Sequence, residues 1–379
     1  MTAFLYWPYD EVMLDSPGED NVVHIKSPWL TAKVKFKAED RDRIENLAEK
    51  FSSQSLSATD IPLINWFFTE LDHYPLCYII PAPKAHETDA HDIRDPSLLN
   101  LPFAEFLRSI ISQSNYLNKD ESAKIAADFE QKDWSWDAEA ALGFAQHQGK
   151  IHPESLFTVV RRFHLLDVLE KDQGKETFKF IESLDGENFA RAAAILVRQN
   201  HFVTQKCQEA LLPANQIAGR ARGQVEDFVK AENGHDLILN VALKALHPHP
   251  ESLPVSLHTK ALMSLLQFAA ERNFLAFAMA VDFFERSSYE KIDPMAQLLL
   301  KGGFEKAAKQ INRHMEINDA GGHENVACSF LEPMAPCSPD YALEALRIAE
   351  TVSLLMNNIT ASALELFHAS EQQAPKGFH

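Results

Sequence analysis

From residue 103 onward, apolar residues recur at the 3.6-residue spacing of an amphipathic helix in one segment after another, and strand signals almost vanish. The segments run Phe103 to Tyr116, Asp120 to Phe129, Asp137 to Gln148, Glu154 to Leu169 and Thr177 to Leu184. They continue as Asn188 to Leu212, Gln216 to Leu246, Leu257 to Glu271, Phe274 to Tyr289, Pro294 to Lys301, Phe304 to Asn318 and Pro339 to Phe367. Short breaks at Leu212-Pro213, His247-Pro248-His249-Pro250, Gly302-Gly303 and Ser338-Pro339 separate several of them. Helices in this order with short connections fold most naturally as an antiparallel bundle, so a mainly α protein is expected.

The first 85 residues read differently. Thr31 to Phe36 alternates polar with apolar residues as a half-buried strand does. Glu39 to Phe51 carries Ile44, Leu47 and Phe51 on one helical stripe behind an acidic first turn. Ala58-Thr59-Asp60 offers caps for a helix over Ile61 to Leu71, and Tyr74 to Ile80 is a strand-like apolar run. A small α+β domain over 1–85 is expected, followed at Lys84 to Pro96 by a stretch without hydrophobic periodicity that reads as a linker. A chain of 379 residues exceeds the usual single core, which agrees with at least two domains.

Charge narrows the function. Fifty-four acidic against 36 basic residues give a formal charge of −18, the wrong sign for binding nucleic acid or an anionic membrane. The longest apolar run, Phe274 to Val281, is far short of the ~20 residues that span a bilayer, and the N-terminus lacks a basic signal region. Four cysteines without a C-x-x-C pair do not make a disulfide scaffold, so a reducing cytoplasm is the expected setting. No G-x-G-x-x-G, Walker or G-x-S-x-G pattern is present. Sixteen histidines, several near carboxylates on helical segments, make metal binding the chemistry to weigh.

Three clusters carry that reading. Glu232-Asn-Gly-His235 puts a carboxylate and an imidazole three residues apart, on nearly one face of a helix, the spacing bundles use to load two metal ions. The alternative is a solvated pair on an exposed face. Gly234 is costly inside a helix and suggests close approach of another group. In His314-Met-Glu-Ile-Asn-Asp-Ala-Gly-Gly-His323 a straight helix aligns Glu316, Asp319 and His323, with His314 on the other side; unwinding at Gly321-Gly322 turns His314 inward with Asn318 or Asp319 instead. A helix end with solvated charges is the plain alternative. The third cluster is an apolar helix carrying Asp282 and Glu285, where buried carboxylates need a partner or a metal. Cys207 reads as a small buried residue, since no supporting base for a nucleophile is evident.

Glu232-x-x-His235, then Phe284-Glu285-Arg-Ser-Ser, then the turn through Asp319-x-x-x-His323 resembles the heme-oxygenase-like diiron oxidases and oxygenases. Their seven-helix fold is shared with heme oxygenase, thiaminase-like proteins and pyrroloquinoline quinone synthase. The resemblance implies such a bundle over 187–370, with 86–186 as a helical linker region. It implies Glu232, His235, Glu285, Asp319 and His323 as iron ligands, with His314 as the extra histidine. Two departures stand out. The family's late motif usually reads His-x-x-x-Asp-x-x-His, whereas His314, Asp319 and His323 are spaced by five and four. The first-helix glutamate would fall near Gln205, with Glu209 one turn on and His201 a further candidate. The implied cofactor is iron, two Fe(II), with O2 as co-substrate, acting in a biosynthetic pathway on an amino acid, amine, peptide or fatty acid. An electron donor and a second copy of the chain are the candidate partners. Residues 1–85 loosely resemble the winged-helix modules that bind leader peptides by strand addition, or else buttress the bundle. The competing reading is a metal-free binding or scaffold protein of the same fold.

Overall fold

The computed structural model describes residues 3–6, 13–14, 22–27, 30–53, 60, 63, 78–81, 96–171, 173–285, 293–321 and 325–373. The helix expected at Ile61 to Leu71 and the linker at Lys84 to Pro96 lie almost wholly outside them. The described chain is mainly α-helical. It divides into two compact units, Met1–Glu87 and Thr88–His379.

In the first unit, β1 (Ala3–Tyr6) pairs antiparallel with β5 (Tyr78–Pro81), Ala3 opposite Pro81. A three-stranded antiparallel sheet has the order β2 (Met13–Leu14), β3 (Val22–Ser27), β4 (Leu30–Lys35), with Val23 opposite Val34. The helix that follows, α1 (Arg41–Ser52), buries Ile44 and Leu47 at the spacing its sequence shows. Buried Asp60 is ion-paired to Lys50 at the end of α1.

The second unit opens with α2 (Phe103–Ile111), α3 (Lys119–Ala127), α4 (Ala138–Ala145), α5 (Pro153–Lys171) and α6 (Gln173–Glu182). These do not form a separate linker region. The capping box of Asn118 and Glu121 starts α3, α2 packs on α10 (Leu257–Arg272), and α5 packs on α11 (Phe274–Glu285) and the last helix. That last helix, α15 (Pro339–Gln373), runs 35 residues and touches α5, α6, α7 (Gly186–Leu211), α10 and α11. Its Ala342, Ala345, Leu346, Ala349, Val352 and Leu355 are fully buried, the small residues allowing close approach.

Helix α11 is buried on every side from Phe274 to Phe283, as its unbroken apolar sequence requires. Asn273 makes the corner between α10 and α11. Its Oδ1 accepts from the Ala276 N–H, and its Nδ2 donates to the Tyr341 carbonyl and the Glu344 carboxylate. Gln199 fastens α7 to the start of α10. Its amide donates to the Ile195 and Pro254 carbonyls, and its oxygen accepts from Ser256 N–H and Thr259 Oγ1.

Between them run α8 (Arg222–Ala231), α9 (His235–Leu246), α12 (Pro294–Lys301), α13 (Glu305–Ala320) and α14 (Val326–Leu331). The periodicity predicts one helix over Gln216 to Leu246; the chain instead forms a 3-10 turn, α8, a break at Gly234, and α9. Helix α14 carries too few residues for its own periodic signal. Its Phe330 stacks on Phe277 of α11 and meets Phe228 of α8 edge-on, which ties α8 to the core. No helix among the described residues is long and apolar enough to cross a membrane.

Candidate functional site

Glu232 closes α8 as its C-cap, donating its backbone N–H to the Phe228 carbonyl. Two residues later Gly234 takes φ 91°, a left-handed conformation that costs glycine little, and caps the start of α9. His235 is the first residue of α9. The Glu-x-x-His spacing therefore straddles a helix junction rather than a single helical face. The expectation that Gly234 marks close approach is also corrected, because a Cβ there would meet nothing within 4 Å. Its backbone angle is the reason for glycine. The junction still brings the pair together: His235 Nδ1 lies 3.3 Å from Glu232 Oε2, with side chains only 5% and 6% exposed. Burial rules out the solvated-pair alternative.

A cavity of about 400 Å3 lies beside them. Glu232 lines it from the end of α8, Glu285 from the end of α11, and His314 from α13. Cys207 and Thr204 face it from α7, and Met356 and Thr360 from α15. Leu262, Leu266, Val281 and Phe284 make its apolar wall. The His235 ring meets the His314 ring edge-on at 5.2 Å between centroids. Three of the seven candidates, Glu232, Glu285 and His314, thus line one volume from three different elements, and His235, which is not part of the lining, contacts Glu232 and His314 from a fourth.

The Cys207 thiol donates to Glu232 Oε2 across 3.7 Å. Burial, followed by the charge of Glu232, pushes that thiol well above its ordinary range. A buried thiol against a carboxylate is also the arrangement of a nucleophile and its base. In this geometry the thiol stands as a donor to the carboxylate.

The other candidates are placed elsewhere. Glu209 is exposed and pairs with Lys206 across one turn, two residues and so about half a helix circumference from Cys207. Gln205 is exposed as well. His201 is buried but does not line the cavity; Arg198 contacts its Nδ1 at 2.7 Å, and burial, then that guanidinium, lowers its pKa. Asp282 is buried and is met by Arg161 of α5, whose Nε lies 3.1 Å from both carboxylate oxygens. Its partner is an arginine far away in sequence. On α13 the inward face is Ile311, His314, Met315 and Asn318, whereas Glu316 is exposed, so the straight-helix preference for Glu316 over His314 is reversed. The backbone of Asp319 lies in the last turn of α13, but its side chain and His323 lie outside the described residues.

Sequence reasoning did not single out Asn200, Thr204, Asp293 or Thr360, which supply further polar groups to the lining together with Asn318, named from sequence only as a companion of His314 in an unwound helix. The signal for Asn318 was present: Ile311, Met315 and Asn318 fall at i, i+4 and i+7. Asp293, which accepts from the N–H groups of Met295 and Ala296, was legible as an N-cap before Pro294. Among the described residues, no three His, Cys, Asp or Glu side chains close into a metal-ligand group. The donor types around the cavity, carboxylate oxygens and imidazole nitrogens, are those that iron takes. The chain matches no protein-family model, no curated protein and no solved structure.

Proposed function

We propose that the cavity is the metal centre of a non-heme diiron oxidase or oxygenase, built in a heme-oxygenase-like bundle over 187–370 and carried with a small α+β N-terminal domain. The observation that supports this reading is that Glu232, Glu285 and His314, far apart in sequence, line one partly apolar cavity, with His235 set against both Glu232 and His314. These four would hold the metal, with Asp319 and His323 completing the set; Glu209 is on the wrong face to join them. Two Fe(II) ions held by such ligands supply O2 reduction, which protein side chains cannot perform.

The chain's own residues do the rest. Leu262, Leu266, Val281 and Phe284 exclude water and hold the apolar part of a substrate. Asn200, Thr204, Asn318 and Thr360 offer neutral hydrogen-bonding groups that orient its polar part. Amino acids, amines, peptides and fatty acids all fit this description. For a peptide substrate, β4 stands at the edge of its sheet among the described residues, the kind of strand that an extended segment can join. The reading of these residues as surface charge on a metal-free scaffold is disfavoured by the burial of Glu232 and His235.

Anaerobic titration of the purified protein with Fe(II), followed by exposure to O2, tests the proposal. Stoichiometric binding and a transient visible absorption are expected; the absence of both would remove its basis.

A further inference from the structure

Glu232 is a long side chain at a helix end, where the chain leaves α8 for the left-handed turn at Gly234. The backbone there does not by itself fix which way such a carboxylate points, because three side-chain torsions remain. Two neighbours reach the same oxygen. The Cys207 thiol donates to Oε2 at 3.7 Å, and His235 Nδ1 stands 3.3 Å from it. His235 is the first residue of α9 and belongs to the same junction as Glu232, so it does not anchor the carboxylate from outside it. Cys207 comes from α7, a 26-residue helix held to α10 by the Gln199 network and to α9 and α15 by packing, and so it is anchored independently of the α8–α9 junction. Both Cys207 and Glu232 are 6% exposed, and both line the cavity.

We propose that Cys207 is a positioning residue, whose thiol holds the Glu232 carboxylate in the orientation that presents it to the metal in the cavity. This rests on the reading of the cavity as a metal centre and assigns a role to a residue that reading leaves idle. A thiol suits the role. It is small enough to pack in the α7 interface and it offers one donor. Groups that orient a ligand from behind typically govern metal affinity by about 10- to 100-fold.

The test uses the full chain, stripped of metal, with Fe(II) titrated anaerobically into wild type, Cys207→Ala and Cys207→Ser. Far-UV circular dichroism and thermal melts run alongside. Wild type is expected to bind, Cys207→Ala to bind about tenfold more weakly with its helical signal intact, and Cys207→Ser to recover most of the affinity because a hydroxyl still donates. Cobalt(II) loaded into wild type should show no sulfur-to-metal charge-transfer absorption. Equal affinity in Cys207→Ala and wild type overturns the proposal while leaving the metal reading intact. Failure of Cys207→Ser to exceed Cys207→Ala overturns it too, since size alone would then account for the loss. A sulfur-to-cobalt band overturns it by making Cys207 a ligand. No binding by wild type overturns both this proposal and the reading beneath it.

Discussion

At the scale of single residues, the second unit shows two ways of burying a charge. Asp282 is 2% exposed and met by Arg161, whose guanidinium also lies 4.3 Å over the Phe157 ring. Arg161→Ala leaves the carboxylate buried without that partner, so a loss of about 3 kcal/mol is expected by urea denaturation. A loss under about 0.5 kcal/mol would show that water reaches Asp282. Glu350 is held mainly by neutral donors, with the Arg347 charge a smaller influence. Its Oε1 accepts from Ser135 N–H, Ser135 Oγ and Trp136 N–H, yet burial outweighs those donors and raises its pKa. The folded state therefore holds this proton more tightly than the unfolded state does. Its contribution to stability is greatest below the ordinary carboxyl range and declines as pH rises through and above it. Glu350→Gln keeps an acceptor oxygen and removes the titration, so its stability should fall less over that interval than the wild type's. Parallel stability–pH curves for the two proteins would contradict this. Residue-level legibility was uneven for a physical reason: a buried carboxylate such as Asp282 can be recognised within its own helix, but the arginine that meets it lies 121 positions earlier, beyond any local pattern.

At the scale of elements, helices were legible because each buries one stripe, and the break at Gly234 was hidden by that same rule. Val225, Phe228, Glu232, His235, Leu239 and Leu243 keep a helical spacing straight through the junction, and all six are buried. Periodicity reads the stripe and cannot see that the backbone turns left-handed beneath it. Asn233-Gly234, a helix-stop signal, was the evidence to weigh against it. Gly234→Ala puts a Cβ into open space but forces a positive φ on an L-residue, so about 1–2 kcal/mol of stability should be lost. Fe(II) affinity should fall with it, because Glu232 and His235 flank the turn. Unchanged melting and unchanged binding would mean that the junction does not set the site. The reversed reading of α13 has a similar origin. Its charges suggested one stripe, whereas Ile311 and Met315 mark the buried one, and His314 and Asn318 travel with them.

At the scale of the whole molecule, the described residues that line the cavity all belong to the second unit, from α7 through α15. A chain beginning at Thr88 should therefore keep its helical circular dichroism and cooperative melting; a non-cooperative melt would show that the boundary at Glu87 is not one of folding. The candidate centre was legible in part: the carboxylate and histidine positions could be read, but their convergence depends on four elements meeting, which spacing along one helix cannot supply. That convergence is the central claim. The most direct test is iron content by elemental analysis after iron-supplemented expression, for wild type and for Glu232→Ala/His235→Ala purified in parallel, with circular dichroism confirming the fold of each. About two irons per chain in the wild type, and a loss of most of them in the double variant, is the expected result. Wild-type protein without stoichiometric iron, or a double variant that retains it all, would contradict the account.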